Sequence, residues 1–371
     1  MTTNEVLRAS ADARRAAGAS SATVSQLENA MHTYLSATTW QSLPFTRDAA
    51  ATAPTAAARP RTTGFAVAGA ADVNRFLVVA GIDGSSCSRR AAGWAAAEAV
   101  HRHGSLLLVH AYSLPSAGYS GYNPYPANLL PQLREEGEAL LDDTANALRL
   151  QYPTLAVDTR MSYGDPATVL RHASAAAQLT VVGARGGHRV VSALGSVAVG
   201  IASTNPGPVV VIHPAAPSAP TGPVVVGVDG SPTSDAALGY AFEAAALRQV
   251  PLVAVHCWTD PVLVGDMPYY AAGIVDTAHI ATERRAFLAE TLAPWSSTYP
   301  NVVVQQVVIH GRPTPALLES SRTAQLTVVG SHGQHGRTGW VGARYLLGST
   351  SVALITNSPS PVVVVRTSSA G

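Results

Sequence analysis

The chain states one pattern twice, and that repetition constrains its fold more than any other feature. Val78-Val79-Ala80-Gly81-Ile82-Asp83-Gly84-Ser85 returns as Val225-Val226-Gly227-Val228-Asp229-Gly230-Ser231, with Asp83 aligned to Asp229. Each copy runs an apolar strand into a carboxylate, then Gly-Ser, then an alanine-rich helix. The match continues to the ends of both halves. Leu106–Tyr112 answers Leu252–Trp258, and Gly164-Asp165-Pro166 answers Gly311-Arg312-Pro313. Leu179–Gly183 answers Leu326–Gly330, Gly195-Ser196 answers Gly348-Ser349, and Pro208–Val211 answers Pro361–Val364. The offset grows from 146 to 147 to 153, so the halves differ mainly by an insertion between Gly330 and Gly348. A duplication of this size means one structural unit used twice.

Each repeat, about 140 residues long, is large enough to bury its own core. We divide the 371 residues into an N-terminal extension (1–74), a first repeat domain (75–213) and a second (222–367), with the Pro-rich stretch 214–223 as linker. In the extension, Thr23 and Gln26 have capping-box spacing. Val24, Leu27, Met31, Tyr34 and Leu35 follow at helical spacing, so an amphipathic helix is expected at 23–37, either docking a protein partner or packing on the rest of the chain. Residues 49–72, rich in Ala, Thr and Pro, read as a linker.

Strands are expected near 76–82, 105–111, 156–162, 179–183 and 208–212, and again near 223–228, 251–257, 302–309, 326–330 and 361–366. Helices are expected near 88–102, 128–150, 166–177 and 195–203, with counterparts in the second half. Valine runs such as 362–365 lack polar alternation, as strands covered on both faces do. The predicted class is α/β: two tandem doubly wound domains, each with a parallel five-stranded sheet and helices on both faces. Ligands of such sheets bind at the carboxyl ends of the strands. The fifth strands, if left bare, are exposed apolar edges. Pairing is therefore expected between them inside the chain, as a pseudo-dimer, or with another copy.

Formal charge is +1, which favours no polyanionic partner, and nucleic acid is not expected. No run reaches the roughly 18 apolar residues of a membrane span, and the first residues lack a signal-peptide apolar stretch. Cys87 and Cys257 occupy non-equivalent places in the repeats, so a disulfide framework is not expected and a reducing cytoplasm fits.

The chemistry-bearing residues converge on the carboxyl ends. Asp83 and Asp229 close strand one of each half, where a carboxylate accepts hydrogen bonds from ribose hydroxyls or caps the next helix. Gly183 and Gly330 close strand four. A glycine-rich loop containing Gly186 or Gly333 follows, and Gly195-Ser196 or Gly348-Ser349 opens the next helix, whose unpaired amides suit a phosphate. His110 and His256 end strand two as polar neighbours of that site or, the preferred reading, as packed histidines. Arg185, Arg189, Arg337 and Arg344 are candidate phosphate partners or solvated loop residues. Tyr119, Tyr122, Tyr125, Tyr269 and Tyr270 stack on a base or cover the rim. His332 and His335 lack companions at metal spacing, so no metal is expected. Cys87, at the start of helix one, is read as a small buried residue. No nucleophile, base and orienter form a set, and no Gly-Lys-[Ser/Thr] loop is present, so no catalytic residue is assigned.

In Gly81–Ser85, Gly227–Ser231, the Val-His pairs 109–110 and 255–256, Val181–Gly186, Val328–Gly333 and the late Gly-Ser pairs, the chain resembles the universal stress protein family in its tandem two-domain form. The resemblance covers about 76–213 and 222–366. It implies strand order 3-2-1-4-5 in each domain, a stress-response regulatory role, and ATP as ligand. By resemblance, Asp83 and Asp229 meet the ribose, and Gly183, Gly186, Gly195, Ser196, Gly330, Gly333, Gly348 and Ser349 surround the phosphates. ATP-binding relatives carry Gly-x2-Gly-x9-Gly-[Ser/Thr]. Here eight residues separate Gly186 from Gly195 and fourteen separate Gly333 from Gly348, which weakens the expectation of ATP in the second half more than in the first. The expected function is thus nucleotide binding without efficient turnover, coupled to docking on a protein partner. The alternatives are a nucleotide-free interaction protein and a slow ATPase.

Overall fold

The computed structural model describes residues 76–114, 126, 128–184, 195–214, 216, 221–259, 277–333 and 347–367. The expected helix at 23–37 lies outside them.

The first half runs β1 (Leu77–Gly81), α1 (Ser86–His101), β2 (Ser105–Tyr112), α2 (Leu129–Gln151), β3 (Ala156–Tyr163), α3 (Pro166–Ala173), β4 (Leu179–Gly183), α4 (Ser196–Thr204) and β5 (Val209–Ile212). The second half repeats this order: β6 (Val224–Val228), α5 (Pro232–Arg248), β7 (Leu252–Trp258), α6 (Thr277–Thr298), β8 (Val304–His310), α7 (Pro313–Ser321), β9 (Leu326–Gly330), α8 (Ser349–Asn357) and β10 (Val362–Val365). The sequence places every one of these elements within a few residues. One difference follows α3: the expected helix to 177 stops at Ala173 and tightens into a 3₁₀ turn at Ser174–Ala176.

The ten strands form one sheet in the order β3-β2-β1-β4-β5-β10-β9-β6-β7-β8. Each half is a parallel 3-2-1-4-5 sheet, and the two meet where β5 and β10 pair antiparallel. Val210 stands opposite Val363, Val209 opposite Val364, and Val211 opposite Val362. Val210 and Val363 are equivalent in the repeat, so a pseudo-twofold axis passes through that pair. The fifth strands thus remove each other's exposed edges, as their composition requires.

Successive residues of a strand face opposite sides, and both sides are covered. Val210, Ile212, Val363 and Val365 join one core with residues of α1, α2, α5 and α6. Val209, Val211, Val362 and Val364 join the other with α3, α4, α7 and α8. The first helix of each half meets the sheet through alanines: Ala91, Ala92, Ala95, Ala96 and Ala99 in α1, and Ala237, Ala241, Ala244 and Ala245 in α5. Small side chains bring the helix axis close to the strands. Caps fix where these helices start. Ser85 and Ser231 accept from the amides of Ser88 and Ser234 at 3.0 and 3.2 Å, and Pro232 occupies the first turn of α5.

A charged cluster crosses between the halves. Glu98 of α1 is buried and accepts from Arg102 Nε at 2.6 Å and from Arg248 of α5. Arg102 also reaches Glu243 of α5, and its guanidinium lies 4.6 Å from the centre of the Phe76 ring and 5.5 Å from that of Tyr240. Arg102 and Arg248 are repeat equivalents, but Glu98 corresponds to Ala244 and Glu243 to Ala97. The cluster therefore breaks the pseudosymmetry. Arg90 fastens the start of the linker by donating to the carbonyls of Pro214 and Ala216 at 2.6 and 2.8 Å.

Candidate functional site

In both halves strand one ends in the same turn. Asp83 Oδ1 accepts from the Ser85 amide at 3.0 Å, and Asp229 Oδ1 from the Ser231 amide at 2.9 Å. The glycine between them has φ +78° at Gly84 and +80° at Gly230, a conformation that side chains disfavour. The Asp amides point to the hydroxyls of Ser88 and Ser234 at 3.3 and 3.1 Å. The aspartates therefore do not cap the helices. The serines do, and each Asp is held two residues upstream by an Asx turn. Asp83 is exposed and Asp229 half-buried.

His110 and His256 hold this turn from strand two. Their Nδ1 atoms lie 2.7 and 2.8 Å from the carbonyls of Ile82 and Val228, the residues just before each Asp. A carbonyl only accepts, so Nδ1 carries the proton. Both pack against the turn through Nδ1, while His256 Nε2 is buried without a hydrogen-bond partner, and both position the aspartate.

The strand-four glycines serve the same turn from the other side. A β-carbon at Gly183 would lie 3.0 Å from Cys87, and one at Gly330 3.0 Å from Thr233. Each lets the first turn of α1 or α5 approach the end of β4 or β9. Cys87 is buried there and donates its thiol to the Ile212 carbonyl at 3.1 Å.

The loops after strand four are tied at both ends. Ala184 accepts from the Gly195 amide at 2.9 Å, and Ser331 from the Gly348 amide at 2.8 Å. Ten residues are enclosed in the first half and sixteen in the second. Gly195 and Gly348 are the N-cap residues of α4 and α8 and offer no side-chain cap, and Ser196 and Ser349 at the first helical positions are exposed. Gly333 stands against Asp229: a β-carbon there would come within 2.6 Å of Asp229 Oδ2. The His332 carbonyl before it accepts from the hydroxyls of Thr233 and, at 3.5 Å, Ser231. In the second half, then, the start of the glycine loop is brought onto the strand-one turn. Gly186, Arg185, Arg189, Arg337, Arg344, His335 and the five loop tyrosines lie outside the described residues.

Sequence reasoning missed the aromatic pairs at the carboxyl ends of strands two and three. Tyr112 packs edge-to-face on Tyr163 with centroids 5.6 Å apart, and Trp258 stacks on His310 at 4.3 Å. The repeat alignment held the signal, since both positions carry ring side chains in both halves. Next to Trp258, burial pushes the Cys257 thiol up to about 11. At the end of β9, burial lowers His332, and the nearby charge of Arg366 lowers it further. Among the described residues no group of His, Cys, Asp and Glu is placed to hold a metal ion, and no helix is long and apolar enough to cross a membrane.

A doubly wound sheet with an Asp-Gly-Ser turn and a glycine loop at the carboxyl ends of its strands, built twice, defines a class of tandem α/β proteins. Comparison narrows it. The pattern of the universal stress protein family matches residues 77–213 and 221–366. A universal stress protein of Mycobacterium tuberculosis strain H37Rv is 36% identical over 301 residues, covering 78% of this chain and 97% of the relative. One of Mycolicibacterium smegmatis shows the same identity over 301 residues, with the same coverage. Among solved structures, a universal stress protein of Archaeoglobus fulgidus superposes with a TM-score of 0.57 at 20% identity, covering 80% of this chain and 97% of that one. The chain belongs to the universal stress protein family.

Proposed function

We propose that the chain binds an adenine nucleotide, ATP foremost, at the carboxyl ends of its strands and retains it without efficient turnover. Asp83 and Asp229 accept from the ribose hydroxyls. Gly186, Gly195 and Ser196 meet the phosphates in the first half; Gly333, Gly348 and Ser349 do so in the second. Nucleotide occupancy alters how the protein docks to a partner during a stress response, with the N-terminal segment at 23–37 as an added contact.

One observation carries this reading. In both halves a carboxylate held on an Asx turn closes strand one, and the loop after strand four is tied to the N-terminus of a helix that has no side-chain cap; in the second half that loop begins against the carboxylate, at Gly333. That pairs a hydroxyl acceptor with unpaired amide donors. No Walker-type lysine is present to position a transferable phosphate, which supports retention over hydrolysis.

The contact of Gly333 with Asp229 favours a second reading for the second half alone, in which the loop covers the carboxylate and the half acts as a scaffold. Nucleotide extraction from protein purified without added nucleotide, read by mass spectrometry, tests the proposal together with thermal shift on adding ATP. The expected result is co-purified adenine nucleotide or a rise in melting temperature with ATP. Neither signal, from folded protein, overturns it.

A further inference from the structure

The ten-stranded sheet ends in β3 on one side and in β8 on the other. The repeat relates these two edges, so each is a control for the other. Asp158, Thr159, Arg160, Met161 and Ser162 of β3 correspond to Gln305, Gln306, Val307, Val308 and Ile309 of β8, by their registers on the equivalent strands β2 and β7. Asp158, Arg160 and Ser162 share one face of β3, as Gln305, Val307 and Ile309 do in β8. Charged residues on an edge keep other chains from pairing with it. β3 has two of them, both exposed, whereas from Val302 to Ile309 the chain carries no charge. Apart from the two glutamines that run is valine and isoleucine, residues suited to strands.

The β8 edge also offers main-chain bonds. The Leu252 amide donates to the Val303 carbonyl at 2.9 Å, and the Gly311 amide to the Trp258 carbonyl at 2.8 Å. In a parallel ladder every second residue turns both its main-chain groups to the same neighbour. Gln305, Val307 and Ile309 therefore face β7. Val304, Gln306 and Val308 direct amide and carbonyl outward, where no described strand pairs with β8. Gln305 and Gln306 are exposed, and Val303 just before the strand is 71% exposed. Val307 and Ile309 are only half-buried against the core they join.

We propose that β8 is the docking edge for a second copy of this chain, which adds its own β8 antiparallel about a twofold axis and continues the sheet. Outward main-chain groups call for a strand as occupant. An identical strand fits, because neither copy brings a charge to the contact. A twofold axis through Gln306 sets Val304 of one copy opposite Val308 of the other, and Gln305 opposite Val307. The molecule already joins its own halves in this way, with β5 and β10 antiparallel about the pseudo-twofold axis. The contact covers one strand edge and a narrow apolar strip, which makes it a small interface, so dimer and monomer exchange in the micromolar range. The proposal does not depend on nucleotide binding.

Sedimentation velocity of the full chain over a concentration series tests it, together with hydrogen exchange of the β3 and β8 segments at the same concentrations. The expected result is a reversible monomer–dimer equilibrium in which exchange within Val304–Val308 slows as dimer forms and exchange in β3 does not. Val307→Arg installs the residue that β3 carries at this place and should raise the dimer dissociation constant by about tenfold or more, since it brings an unpaired charge to the edge. Thr159→Arg, on β3, should leave that constant unchanged. If Val307→Arg does not fold, Gln305→Asp and the wild-type exchange pattern decide. A monomer throughout the series overturns the proposal, as does a dimer of unchanged affinity in folded Val307→Arg or one that leaves β8 exchange unaltered. Full protection of β8 already in the monomer shows that the chain covers its own edge, and overturns it too.

Discussion

Replacing Glu98 by Gln should weaken the whole two-domain body, and the size of the effect follows from what surrounds it. The Glu98 side chain is 1% exposed and binds Arg102 and Arg248, themselves 5% and 9% exposed. Removing the carboxylate leaves Arg248 without an ion-pair partner and Arg102 with Glu243 alone. Breaking a buried pair from one side costs about 3–5 kcal/mol, because the remaining charge stays desolvated. That is a large share of the roughly 5–15 kcal/mol that holds a typical domain together. Glu243→Gln removes a bond to the same arginine, but its side chain is 51% exposed, so the loss should be about 0–1 kcal/mol. Urea unfolding followed by tryptophan fluorescence measures both. A double-mutant cycle of Glu98→Gln with Arg248→Gln should return a coupling of about 1–3 kcal/mol. A Glu98→Gln cost below about 1 kcal/mol, or a cost equal to that of Glu243→Gln, would refute the claim that this cluster locks α1 to α5.

Three further outcomes follow from the geometry. Gly330→Ala places a β-carbon 3.0 Å from Thr233 and should cost about 1–3 kcal/mol by overpacking, measured as a shift in the urea midpoint; a midpoint at the wild-type value contradicts the packing role. Cys257 favours its protonated form in the folded state, with the thiol pushed up from 9.0 to about 11. The unfolded chain loses that proton first, so this contribution is intact below about pH 9 and is lost as pH rises toward 11. Thermal melts across that window should fall more steeply for the wild type than for Cys257→Ala. His110→Phe removes the bond that holds the Ile82 carbonyl; it should weaken nucleotide binding in the first half by about tenfold, read by calorimetry against a melting temperature that shows the fold intact.

The fold was legible because the duplication, the apolar runs and the turn residues agree at every level. Even the β5–β10 pairing could be anticipated, since two valine-rich edges in one chain call for cover. The end of α3 was less legible, because nothing in Ser174-Ala175-Ala176 marks the change to a 3₁₀ turn. The repeated Asp-Gly-Ser marked the turn after strand one but left the division of labour within it open. Serine capping and Asx bonding use the same residue types, and only coordinates separate them. The sequence did not show that the first turn of the neighbouring helix packs against the strand-four glycines. That contact is long-range and leaves no local mark. The Glu98 cluster was illegible for the same reason: it joins residues 150 positions apart that the repeat does not relate.

In the proposed reading, each Asp-Gly-Ser turn and its tied glycine loop form one adenine-nucleotide site. Isothermal titration of ATP into the full chain tests it most directly, comparing wild type with Asp83→Ala, Asp229→Ala and the double variant. Saturable binding is expected, with loss of one component in each single variant that carries an occupied site and no binding in the folded double variant. ATP bound with unchanged affinity and stoichiometry in the double variant, or no binding by the wild type, would contradict it.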